Sequence, residues 1–395
     1  MKKLIYVLPS VVVMLIVLAA CGGQTTNQEL PESDAMTESA NAEANTPTTD
    51  EEATEDIADT TTSENVAEST TTACDDGFRL FEHELLVGEP VCVPEDPQRV
   101  AHIPPASFFY ALDFKPVASS FLERETRHLP EAIADWVLTD IEEVDYGAPN
   151  LEQLAALDLD LIIHDVSRVE EVTEQLNTIA PTALFVADYG SPDLLQDRLL
   201  FNAEVLGREA EATEQLEIYD QRVTELQMAL QASLGDMAAI EVSMLRARDE
   251  QTFDLYPRNR PQAAILDTLG FGRPAAIDYD RAELAEQYGT DNFLRISKEQ
   301  LEFADGDVLI IILAPSSGEG GTAAEDALAE SIQDDPLWNA LNAFEQDNVY
   351  FVSYPWLLSD NIIFAHAVLD GLADIFDVEI STPNPFSSSW SGVGR

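Results

Sequence analysis

Positions 150 to 163 read NLEQLAALDLDLII, and positions 296 to 311 read ISKEQLEFADGDVLII. Aligned without a gap at an offset of 147 residues, Glu152, Gln153, Leu154, Asp158, Asp160 and Ile163 fall on Glu299, Gln300, Leu301, Asp305, Asp307 and Ile310. A phrase written twice at that distance constrains the chain to a fold with two comparable halves. In each copy a good helix cap, Asn150 or Ser297, stands three residues before a Gln, which is the spacing of a capping box. The short helix so started runs out near Asp158 or Asp305 and hands over to an apolar run, DLII or DVLIII, with the character of a buried strand.

The text around both copies alternates strands with helices. RVAHI, PVAS, Leu159–His164, Thr182–Val186, Ile240–Leu245, Asp307–Leu313 and Asn348–Val352 read as strands, with helices at ASFFYALDF, Arg168–Ile179, Gln262–Leu269 and Asp360–Phe376. Such alternation predicts parallel sheets covered on both faces. Asn202 to Leu234 breaks the rhythm, with helical apolar spacing, no Pro and one early Gly, until Gly235-Asp236 ends it. A helix of that length exceeds what one lobe needs. The expected fold is therefore α/β, with two Rossmann-like lobes containing parallel sheets, joined by one long α-helix and facing each other across a ligand cleft. The expected boundaries are 98–201 for the first lobe, 202–235 for the linking helix, 236–380 for the second lobe and 381–395 for an irregular tail.

Ahead of the lobes, Met1-Lys2-Lys3 and the apolar run to Ala20 have the layout of a secretory signal segment, 1–20. Small residues before Cys21 resemble the lipobox of bacterial lipoproteins, which makes Cys21 the expected lipidation site. Residues 21–73 are rich in Thr, Glu, Asn and Ser and hold 13 acids with no Lys or Arg. They bury too little apolar surface to offset the entropy of ordering and are expected to form a disordered tether. With Cys21 lipidated, Cys74 and Cys92 remain as an even pair in an exported chain, so a disulfide is expected. It would close a hairpin, 74–97, turning at Val87-Gly88-Glu89.

The whole chain has 20 basic and 74 acidic residues, a formal charge of −54. Without the signal segment and tether, 18 basic and 61 acidic residues leave −43. Nucleic acid is excluded as a partner, because it needs a basic face to displace its counterions.

Several stretches resemble, in order over residues 97 to 376, the substrate-binding lipoproteins of ABC importers for iron-siderophores, haem and cobalamin, the class with a helical backbone between lobes. They are PQRVAHI with ALDFKPVA, YGAPNLEQLAALDLDLII, LNTIAPTALF, LGREAEATEQLEIYDQRVTEL, ILDTLGFGRP, ISKEQLEFADGDVLIII and DPLWNALNAFEQDNVYFVSYPW. The resemblance implies a monomeric, non-enzymatic, lipid-anchored receptor outside the cytoplasmic membrane. It would bind a ferric siderophore and deliver it to an ABC permease dimer, touching the membrane only through its anchor. A haem or cobalamin receptor of the same class is the alternative. By position, Glu152 and Glu299 correspond to the carboxylates that dock with the permease, and the helix dipole also favours a carboxylate at these places.

Loops after the carboxyl ends of parallel strands form the ligand crevice of α/β sheets. Arg124 and Arg127 follow a first-lobe strand, and Arg246, Arg248, Arg258, Arg260 and Arg273 cluster in the second lobe. The planar guanidinium fork suits the oxygens of an anionic chelate. Phe253, Tyr256 and Trp356 could supply rings for stacking. The expected ligand-binding set is Arg124, Arg127, Arg246, Tyr256, Arg258, Arg260 and Trp356, with ion pairing and core packing as the structural alternatives. The five His residues, at 83, 102, 128, 164 and 366, lack metal-ligand spacing, so the iron is expected to arrive already chelated, with no protein metal site and no cofactor.

Two other classes compete. Gly318-x-Gly320-x-x-Ala323 meets a relaxed dinucleotide fingerprint and would suit an exported oxidoreductase, but no acidic residue ends a second strand about 20 positions on. A tethered sensor or adhesion module could use the same fold. No catalytic residue is expected.

Overall fold

The computed structural model describes residues 74–395 except 166–169, 190, 259, 316–321, 388–392 and 395. The expected signal segment, Cys21, the tether and the glycines at 318, 320 and 321 lie outside the described residues.

Strands β1 (Phe78–Phe81) and β2 (Val91–Pro94) pair antiparallel, with Phe81 opposite Val91, and the Cys74–Cys92 disulfide closes them. Their connection, residues 82–90, is longer than a turn at Val87-Gly88-Glu89 alone. Val87 N–H donates to Leu184 O at 2.9 Å and Val186 N–H to Leu85 O at 2.9 Å, so the connection lies along the edge of the first-lobe sheet. An edge covered in this way is less open to pairing with another chain.

The first lobe holds β3 (Val100–Pro105), β4 (Ala118–Ser120), β5 (Glu142–Glu143), β6 (Leu161–Asp165) and β7 (Thr182–Phe185). They form a parallel sheet in the order β5-β4-β3-β6-β7. Every residue of β6 is buried, as a strand covered on both faces requires.

The second lobe holds β8 (Val242–Ala247), β9 (Thr252–Leu255), β10 (Leu294–Ser297), β11 (Val308–Leu313), β12 (Val349–Val352) and β13 (Val393–Gly394), in the order β10-β9-β8-β11-β12-β13. Here β8, β11 and β12 are parallel, but β9, β10 and β13 run antiparallel to their neighbours. The second sheet is thus mixed where the alternation predicted a parallel one. Residues 248–251 between β8 and β9 are too few for a crossover, which needs a dozen or more, so β9 must turn back. The tail, expected to be irregular, contributes β13.

The repeated phrase now has a physical reason. Asp160 accepts from Gln98 N–H at 2.7 Å and Arg99 N–H at 3.0 Å, tying the start of β6 to the start of β3. Asp307 accepts from Glu241 N–H at 2.9 Å, tying β11 to β8 in the same way. Leu154 and Leu301 are both buried in their lobe cores. The copies diverge at Asp158, whose φ is 52°, and Asp305, whose carboxylate accepts from Asn342 N–H at 3.0 Å and Ala343 N–H at 3.3 Å. The second short helix, Lys298–Ala304, is a 3₁₀ helix.

The joining helix starts later than its apolar spacing suggests. A first helix, Leu194–Leu206, stops at Gly207, whose φ of 69° is left-handed, and a second, Glu209–Leu234, runs for 26 residues or roughly 39 Å. It does not act alone. The closing helix, Ile362–Ile375, places Ile362, Ile363 and Phe364 in the first-lobe core and Val368, Leu369 and Leu372 in a second-lobe core. Buried Arg222 fastens the two helices. Its Nη1 donates to His366 Nδ1 at 2.7 Å, its Nη2 to Asp370, and its Nε to Thr382 O at 3.1 Å, after which the chain returns Phe386 to the first-lobe core.

The disulfide closes a loop with a sequence separation of 18, and the chain-entropy argument gives it about 3 kcal/mol. Calorimetry of the Cys74→Ser/Cys92→Ser variant should show a melting midpoint lower by several degrees. An unchanged midpoint would mean that the hairpin adds nothing to the cooperative unit.

Candidate functional site

The carboxyl ends of β3, β4, β5, β6 and β7 all point to one side of the first sheet, and the loops that leave them present Phe108, Phe121, Tyr146, Asp165 and Tyr189 to a common cleft. The second lobe closes it with Pro261 and Gln262 at the start of the helix Pro261–Leu269, and with Tyr354, Leu357, Leu358 and Asp360 after β12. The cleft encloses about 230 Å³ and opens to solvent at its mouth. A second hollow of about 240 Å³ lies among helices, lined in part by Leu195, Leu216, Tyr219, Val223 and Ala264. Its lining comes mostly from helices, with Pro192 and Asp193 from the loop after β7 and Ser359 from the segment after β12, and includes no Arg, Lys or His.

Arg198, on the helix Leu194–Leu206, forms the floor of the cleft. Its Nη1 lies 3.3 Å from Asp165 Oδ2 and its Nη2 3.4 Å from Asp360 Oδ2, while its guanidinium sits 4.6 Å from the Phe108 ring centre and 5.7 Å from that of Tyr189. All three charged side chains are buried. Burial alone would raise the pKa of Asp165, but His164, Arg198 and the Tyr146 hydroxyl, which donates to it, outweigh that and hold it at about 2. Asp360 is different, because burial raises its pKa against the pull of Arg198.

Two features fix the first-lobe wall. Phe121 has a φ of 58°, a left-handed conformation that a bulky residue adopts only when its surroundings impose it. It turns the chain immediately after β4, so that its ring meets Tyr146 at 5.3 Å and Arg124 at 5.7 Å. Buried Glu125 accepts from Ala106 N–H at 3.1 Å and Ser107 N–H at 3.3 Å, which pins the loop after β3. Burial pushes its carboxyl up to about 7.

Of the residues expected from sequence, Arg124 lines the cleft and donates to the Tyr354 hydroxyl of the other lobe. His128 stacks on the same Tyr354 ring at 5.2 Å. Arg260 stands beside the cleft, buried, with Nη1 donating to Tyr189 O across the lobes. The rest do not converge on it. Arg127 is exposed and outside the lining. Arg246 donates from Nε to Ala314 O at 3.0 Å, and exposed Arg258 pairs with Asp278 at 2.7 Å. Arg248 pairs with Asp254 and Arg273 with Asp267. Tyr256, Trp356 and Phe253 are core residues. Trp356 packs so closely on Gly371 that an added Cβ there would lie 2.5 Å from the indole.

Sequence reasoning missed Arg198, Asp165, Asp360, Tyr146 and Tyr189. The available signals were a lone cation in LLQDRLLFNAEVL and a carboxylate ending the buried run LIIHD. Glu152 and Glu299 are both exposed at the second position of their short helices. Asn150 accepts from Glu152 N–H at 3.0 Å, and Ser297 donates to Glu299 at 2.7 Å. Among the described residues, no group of three or more His, Cys, Asp or Glu is placed to hold a metal ion.

Comparison with known proteins gives a concordant picture. A profile described as periplasmic binding protein matches residues 117–354. The probable siderophore-binding lipoprotein YfiY of Bacillus subtilis is 30% identical over 232 residues, 58% of this chain and 66% of that protein, so the match spans just under two thirds of its length. The Fe(3+) dicitrate-binding periplasmic protein FecB of Escherichia coli is 27% identical over 285 residues, 71% of this chain and 85% of that one. Among solved structures, Staphylococcus aureus SirA complexed with staphyloferrin B superposes with a TM-score of 0.61 at 22% identity, covering 77% of this chain and 100% of that one, a likeness of fold.

The raised Glu125 carboxyl gives the cleft a pH signature. Its contribution to stability, on the order of 3 kcal/mol, is fully present below about pH 4.5 and lost as pH rises through about 7. Melting curves of Glu125→Gln should therefore depend less on pH between 5 and 8 than those of the parent. Parallel curves would show that this carboxyl does not titrate in the window.

Proposed function

Because this chain belongs to the periplasmic binding protein family, we propose that it captures a ferric siderophore outside the cytoplasmic membrane and hands it to an ABC permease. The observation that carries the reading is the cleft itself, a ring-lined hollow at the carboxyl ends of the first-lobe strands and roofed by the second lobe. The iron arrives chelated, and the protein contributes shape, aromatic surface and a few charges. No bond is made or broken.

Relatives named as a siderophore-binding lipoprotein and a dicitrate-binding periplasmic protein support this class of cargo, and the Cys74–Cys92 disulfide suits an oxidising compartment. Cys21 is the anchor in this reading, and the protein acts as a monomer on its tether. Glu152 and Glu299 present carboxylates from equivalent places on the two lobes, a spacing that a permease dimer with basic pockets could read. The exported-oxidoreductase reading gains no support from any residue of the cleft.

Quenching of intrinsic tryptophan emission by a panel of ferric siderophores, haem and cobalamin tests the reading directly. A ferric siderophore should bind, and Arg124→Ala should weaken it about tenfold or more, the usual effect of losing one charge-assisted hydrogen bond. Binding by cobalamin or haem alone would reassign the cargo. A Glu152→Ala/Glu299→Ala double variant should keep its affinity but lose iron uptake in cells, and unchanged uptake would remove both residues from docking.

A further inference from the structure

We propose that the cleft selects ferric chelates of little or no net charge, of the tris-hydroxamate kind, over tris-catecholate chelates that carry a triple negative charge. This deepens the function proposed above and rests on it. The charge difference is chemical: three singly charged hydroxamates cancel iron(III), whereas three doubly charged catecholates leave a trianion.

The lining offers a trianion little counter-charge. Arg198 is held between Asp165 at 3.3 Å and Asp360 at 3.4 Å, so on the floor of the cleft two carboxylates face one guanidinium. Arg124 is the one lining cation that makes no ion pair among the described residues, and its guanidinium is engaged with the Tyr354 hydroxyl and ring. Apart from Arg124, several of the arginines that sequence assigned to an anion trap are engaged outside the lining. Arg258 is on Asp278, and Arg248 and Arg295 share the fully buried Asp254. Arg246 and Arg260 keep their charge but stand outside the lining, each donating to a backbone carbonyl.

Hydrogen bonding points the same way. The oxygens of a catecholate chelate carry more negative charge than those of a hydroxamate chelate and gain more from donors. The two tyrosine hydroxyls nearest the floor, Tyr146 and Tyr189, already donate to Asp165. What remains exposed to a ligand is mostly ring, proline and leucine surface, which suits the methylene and amide spacers of a hydroxamate chain. Inside such a cleft, salt screens the two carboxylates much less than it would at the surface.

The test titrates the full chain with iron(III) bound by a linear tris-hydroxamate, iron(III) bound by a tris-catecholate, and iron(III) citrate, at low and high salt. The expected result is a dissociation constant for the hydroxamate at least about tenfold below those of the two anionic chelates, with the preference persisting at high salt. Asp360→Asn, which removes one floor carboxylate, should narrow the gap. The wild-type comparison decides the matter even where that variant does not fold. Equal or tighter binding of the catecholate or citrate complex overturns the proposal while leaving the siderophore reading intact. Failure of all three to bind overturns both.

Discussion

One guanidinium, that of Arg198, holds together the elements that make the cleft. Asp165 ends the interior strand β6 of the first lobe, Asp360 stands just before the closing helix shared by both lobes, and Arg198 bridges them from a third element. Placing these charges in the interior costs more than an apolar core of equal volume would, and removing one member of such a group leaves an unpaired buried charge at about 3 to 5 kcal/mol. Arg198 is therefore weak evidence for stability and stronger evidence for specificity. It sets the relative position of strand end and closing helix, and so the floor on which a ligand rests.

The same logic limits movement. The linking helix, the closing helix and the returning tail all join the lobes, and Arg222 ties the three to one another. Across the cleft, Arg124 meets Tyr354, Arg281 meets Asp188, and Asn361 donates to Ser107 at 2.9 Å. A body connected in so many places favours small adjustments over wide hinge opening, so affinity depends on a largely preformed site.

The architecture was legible in the sequence wherever a local pattern dictated it. The repeated phrase marked the two lobes because Asp160 and Asp307 each lock an interior strand to its neighbour, a need that recurs with the unit itself. The break at Gly207 was visible as a glycine but hidden by apolar spacing that continues through it. The mixed second sheet followed from the short connection at 248–251, which periodicity does not register. The site was less legible. Arginine clustering pointed to a cationic trap, yet in this acidic chain most arginines find carboxylates first, and only the fold decides which remain at the cleft. Trp356 resembled a binding ring by position, but Gly371 makes room for it in the core.

Hydrogen exchange with and without a bound ferric chelate tests the central claim most directly. The account predicts slowed exchange in the backbone flanking Phe121, Tyr146, Tyr189 and Tyr354, on both walls of one cleft. Protection confined to a single lobe, or centred on the helix-lined hollow around Leu216 and Val223, would contradict it.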